Sequence, residues 1–210
     1  MDRAGVLAQL NRRMLEAFSA RTVGALRASL PLRLALPHFE QILEQNLEKE
    51  IRKDALVIRC ADEALAAGAA PGPDAVRQLL DSARRIDREF VARLGRFALR
   101  LEIPYARIEP LRLRRIERGL DLAYRILDAW RRGRRLRDAF SPAELERRLL
   151  EILTLYCEET VALGDTARLP GPLAPVGERL ASRLLGVMTA ASRSLARDIA
   201  QSITAAQYRL

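Results

Sequence analysis

Arginine is the side chain with the widest chemical reach in this sequence. Residues 107–137 hold eleven arginines against Glu109, Glu117, Asp121 and Asp128, a surplus of seven charges in a chain whose net charge is +9. Arg114, Arg118, Arg125 and Arg132 recur on one helical face, and Arg131, Arg132, Arg134 and Arg135 make a dense cluster at its end. An array of this kind suits phosphates, because guanidinium groups make charge-assisted hydrogen bonds and counterion release drives the association. Arg114, Arg118, Arg125, Arg131, Arg132, Arg134 and Arg135 are therefore the predicted anion contacts, with an electrostatic role. Two features argue for a solvated face instead. Asp121 and Asp128 each precede an arginine by four residues, the favourable order for an ion pair on a helix. No aromatic residue interleaves the run, so a stacking platform for single strands is not indicated.

Other reactive types are sparse. His38 is the sole histidine and stands at the start of a predicted helix. Cys60 and Cys157 lie inside predicted helices, and no spacing ties either to His38. Glu40, Glu44 and Glu48 lie one turn apart, but the Glu-x-x-His motifs of a di-iron bundle are missing. No Cys-x-x-Cys pair, glycine-rich phosphate loop or Asp-Asp-x-x-Asp run occurs. No catalytic residue, metal or cofactor is expected. The arginines from Arg84, Arg85 and Arg88 to Arg100 leave open a small-anion pocket between helices.

Composition narrows the setting. Of 210 residues, 49% are apolar and 5% aromatic, enough to bury a core built on leucine and alanine. Only Lys49 and Lys53 among the 36 basic residues are lysines. A GC-rich genome produces such an arginine preference as readily as phosphate binding does. The longest uncharged stretches, 64–73 and 199–208, are too short for a membrane helix, which needs about 20 residues. Met1-Asp2-Arg3 opens no signal-like run, and two cysteines give no disulfide framework, so a cytoplasmic location is expected.

The apolar spacing is helical throughout and predicts an all-α, antiparallel bundle of about six helices. They fall at about 3–20, 37–68, 74–102, 105–137, 142–163 and 176–208, with 21–36 ambiguous. Ser141-Pro142-Ala143-Glu144 predicts a capping box. Val76, Leu79, Ala83, Ile86 and Phe90 make the clearest seam. Residues 1–168 read as the bundle, 169–175 as a Pro/Gly linker, and 176–210 as an amphipathic helix packed on the bundle. Its small residues favour close packing, and its basic stripe (Arg179, Arg183, Arg193, Arg197) raises a weaker prospect of contact with an anionic membrane. The functional expectation is a non-enzymatic interaction, adaptor or assembly protein with a protein partner or a second copy. Nucleic-acid binding through 107–137 is the first alternative, and an all-α enzyme with an arginine-lined pocket the second.

Overall fold

The computed structural model describes residues 2–29, 36–95, 103–164 and 174–205. Their side chains are described except at 26, 28–29, 36–43, 94–95, 163–164, 174–184 and 203–205. The helices are α1 (Arg3–Ser29), α2 (Leu36–Ala66), α3 (Pro73–Gly95), α4 (Tyr105–Arg131), α5 (Leu136–Ala139), α6 (Pro142–Gly164) and α7 (Ala174–Ala205). No strand occurs among the described residues. The expected all-α bundle is therefore present, with two changes of boundary. α1 continues to Ser29, since Thr22 and Val23 extend its inward side without a breaker. The fourth helix stops at Arg131, and Gly133, at φ 66°, turns the chain into the one-turn α5. That exit satisfies end carbonyls: Gly133 N donates to Trp130 O at 3.1 Å and Arg134 N to Ala129 O at 2.9 Å. Residues 169–173 of the expected linker lie outside the described residues, as do the side chains of His38, Glu40, Arg179 and Arg183.

The start of α6 keeps half of its predicted capping box. Glu144 N donates to Ser141 Oγ at 3.1 Å. The Glu144 carboxylate does not return to Ser141, and accepts from Arg125 Nη1 at 2.9 Å and Arg148 Nε at 3.1 Å instead.

The long helices close a ring: α1 packs on α2, α2 on α4, α4 on α6, α6 on α7, and α7 on α1. α3 lies against α2 and α4, and α5 against α4 and α7. The pairing is antiparallel except between α2 and α4. Arg115 meets Glu50 and Arg131 meets Leu65, so these two run parallel, with α3 as the return stroke. α6 and α7 approach closely because small residues meet: Cys157, Ser192, Ala196 and Ala200 are all buried. Cys157 Sγ lies 3.3 Å from Ser192 Oγ.

A ring of five helices has a geometric consequence. Cylinders about 10 Å across, touching in a five-membered ring, enclose a gap roughly 7 Å wide. Four would leave one that side chains fill. Here α1 touches α4 across the ring, which narrows the gap without closing it.

Candidate functional site

The gap is a cavity of about 520 Å³. Its lining on α4 runs from Arg112 to Trp130 along one face, a rise of about 27 Å. Val57, Ile116, Gly119, Ala123, Leu149 and Ile152 form its middle, with no polar side chain among them. Trp130 and Leu136 line the apolar end. Leu10, Arg13, Arg21, Asp198 and Ser202, exposed on α1 and α7, form the rim. Among the described side chains of α1, Leu15 and Phe18 are buried, whereas Val6, Leu7, Leu10 and Met14 line the cavity.

The opposite end is polar. Lys49, Glu50, Lys53, Asp87, Arg112, Arg115 and Glu159 are each at most 6% exposed at the side chain, and they interlock four helices. Lys53 Nζ lies 2.7 Å from Asp87 and 3.1 Å from Glu50. Arg112 reaches Asp87 through Nη1 and Glu159 through Nη2, both at 2.6 Å. Arg115 pairs with Glu50 and, at 3.3 Å, with Glu159. Lys49 Nζ lies 3.0 Å from Glu50 and 4.7 Å from the Phe90 ring centre. Arg115 stacks on Tyr156, whose hydroxyl is 3.2 Å from Asn46 Nδ2. Beyond this layer a small apolar cluster, Phe90, Ile108 and Ala162, closes the bundle on that side. The ions are thus a floor between two apolar regions.

Burial and charge compete at each of these groups. Burial alone would raise the Glu50 carboxyl, but Arg115, Lys53 and Lys49 outweigh it and hold Glu50 well below the usual carboxylate range. Burial, reinforced by Lys53, lowers the Lys49 ammonium. Asp54 differs. It is half-buried, lines the cavity and accepts from Asn11 Nδ2 at 3.1 Å. Among the described residues no cation lies within ion-pair distance of it, and burial raises its carboxyl. Burial also pushes the Cys157 thiol up to about 11, so no thiolate is available there.

These shifts set a pH dependence. Glu50, held below its unfolded value of about 4.3, contributes stability that is complete above that pH and is lost as the pH falls through its folded value. Glu109 and Glu144, lowered by hydrogen bonds from Arg84 and Arg125, act with the same sign. Asp54, raised, acts oppositely: its contribution is present at low pH and is lost as the pH rises through its folded value. Three groups against one predict acid unfolding below about pH 4 by far-ultraviolet circular dichroism. A midpoint above about pH 5 would contradict this balance.

The seven predicted anion contacts are spread along the outer side of the bundle and do not converge on one point. Arg118 pairs with Glu151 at 2.8 Å, Arg125 with Glu144, and both Arg132 and Arg134 with Asp128, at 2.8 and 3.3 Å. Arg131 donates to Leu65 O, capping the end of α2. Arg114 reaches only its own helix, at Pro110 O, and Arg135 has no ion pair among the described residues. Of the two helical pairs expected, Asp128–Arg132 forms. Asp121 instead takes Arg148 at 2.5 Å.

The ionic floor itself was not foreseen, because arginine was read as outward-facing. One signal for it was present. A chain that uses arginine 34 times and lysine twice places both lysines one turn apart, at 49 and 53, and both are buried. Among the described residues no group of histidine, cysteine and carboxylate side chains is arranged to hold a metal, and no helix is long and apolar enough to cross a membrane. No protein-family model, curated protein or solved structure matches the chain.

Proposed function

We propose that the chain binds an elongated, largely apolar small molecule in the lumen of its helical ring, as a carrier or receptor. The cavity carries this reading. Protein interiors are packed like organic crystals. An apolar space of about 520 Å³ left without an occupant forfeits the dispersion contacts that its lining side chains would otherwise make. Water is a poor filling, since the middle of the lumen offers it no polar partner. The volume lies within the ~300–1,000 Å³ typical of ligand sites, and a few polar groups converge at one end, as such sites require. The length along α4 suits a fatty acyl or isoprenoid chain better than a compact ring.

Docking to a protein and phosphate binding stand behind this reading. The exposed large apolar side chains among the described residues are Leu10, Leu113 and Leu185, on three separate helices, and Leu10 belongs to the rim. Six of the seven outer arginines already hold protein acceptors.

The test is titration with a neutral fluorescent naphthylamine probe, followed by thermal unfolding. Saturable binding at one probe per chain is expected. Ligand at a hundred times Kd should add about 2.7 kcal/mol of stability. No saturable binding and no shift in Tm would overturn the proposal. So would a stable dimer that excludes the probe, because a second copy would then be what covers the rim.

A further inference from the structure

We propose that the occupant of the lumen carries an uncharged, hydroxyl-bearing head group that donates a hydrogen bond to the Asp54 carboxylate. The inference rests on the binding role just described and names the chemistry of the ligand's polar end.

Charge arithmetic leads to it. The floor holds four cations, Lys49, Lys53, Arg112 and Arg115, and three ion-paired carboxylates, Glu50, Asp87 and Glu159. Asp54 is the fourth negative charge and brings the sum to zero. Each cation is committed to a carboxylate other than Asp54: Lys49 and Lys53 to Glu50 and Asp87, Arg112 to Asp87 and Glu159, Arg115 to Glu50 and Glu159. At the floor an anionic head would therefore meet Asp54 with every floor cation already committed. A cationic head could pair with Asp54, but it would bring a fifth positive charge beside Lys53 and Arg115, which line the same end of the cavity. A hydroxyl leaves the sum unchanged.

The geometry has room for that bond. Asp54 Oδ2 accepts from Asn11 Nδ2 at 3.1 Å, and Oδ1 has no donor among the described residues. Asp54 and Asn11 both line the cavity, on α2 and α1, beside Lys53 and Arg115 at its polar end. A carboxylate held without a cation is a strong acceptor for a neutral O–H. The shift of Asp54 toward its protonated form, caused by burial, agrees with a site that lacks a counter-charge.

The experiment holds chain length fixed and varies the head. A long-chain primary alcohol, the matching carboxylate and the matching amine, each below its aggregation threshold, compete with the naphthylamine probe at neutral pH. The alcohol is expected to bind about tenfold tighter than either charged analogue, the loss that a missing hydrogen bond or an uncompensated charge brings. Asp54→Asn removes one negative charge, leaves the floor at +1, and should reverse the order of alcohol and carboxylate while the probe still binds. A wild-type protein that prefers the carboxylate or the amine overturns the proposal, as does a variant with an unchanged order. If Asp54→Asn does not fold, the wild-type ranking decides alone. Failure of the probe to bind wild type at all would defeat the binding role and not only its head-group chemistry.

Discussion

Asp87→Ala lowers the unfolding free energy by about 3–5 kcal/mol, the largest loss expected from any single substitution in this chain. Asp87 forms ion pairs with Lys53 at 2.7 Å, Arg112 at 2.6 Å and Lys49 at 3.7 Å, and its side chain is 1% exposed. Removing it leaves four buried cations, Lys49, Lys53, Arg112 and Arg115, to share the two carboxylates of Glu50 and Glu159. The desolvation of those cations has already occurred on folding, so the loss is the full penalty of an unpaired buried charge. For a domain of this size the change corresponds to a fall in Tm on the order of 10 °C, measured by thermal and urea unfolding. Arg135→Ala, on the outer side and without an ion pair among the described residues, should change stability by no more than about 0.5 kcal/mol. A loss below about 1 kcal/mol for Asp87→Ala would mean that the floor is hydrated and open, and the charge arithmetic built on it would fail.

The second large effect concerns space. Gly119 faces the lumen from the middle of α4, and a Cβ built there would meet only Val57 Cγ1, at 3.6 Å, an ordinary contact. Gly119→Phe therefore places a ring inside the cavity without a clash at its root. Probe affinity is expected to fall by about a hundredfold, equivalent to ~2.7 kcal/mol. The ligand-free protein should be no less stable, because the ring fills a void and glycine inside a helix costs roughly 0.5–1 kcal/mol relative to alanine. Gly119→Ala supplies the second gain alone and should leave binding nearly unchanged. A Gly119→Phe protein that binds the probe like wild type would place the ligand elsewhere. The signature is the combination of lost binding with retained stability, which general misfolding cannot produce.

The helices were legible because apolar spacing and end signals act locally. The seam of α3, the inward stripe Ile116, Leu120, Ala123, Leu127 and Trp130 of α4, and the Ser141 cap all follow from residues within a few turns of one another. The floor was hidden because its members are complementary only in space. Arg112 and Arg115 fall among the apolar positions of α4, but the acids that admit them to the interior are Glu50 on α2, Asp87 on α3 and Glu159 on α6. No local pattern links those four helices. On α2 the buried side holds Val57, Ile58, Ala61 and Leu65 in its C-terminal half but Asn46, Lys49, Glu50 and Lys53 toward its N-terminal half, where apolar spacing gives no sign of burial. The lumen was hidden for a different reason. Periodicity shows which side of a helix faces inward, but not whether anything stands opposite, and that depends on how many helices close the ring.

That closure has a temporal side. The joint between α1 and α7 unites segments more than 170 positions apart, as in the contact of Arg21 with Ser194 at 2.9 Å and with Asp198 at 2.8 Å. A growing polypeptide that has not yet produced α7 can assemble α1 through α6 only as an open trough, with the apolar wall facing water and the ionic end already in place. Bringing such distant segments together is the slowest kind of contact to form. During synthesis there is thus an interval in which a guest can lie in the trough before its last wall arrives.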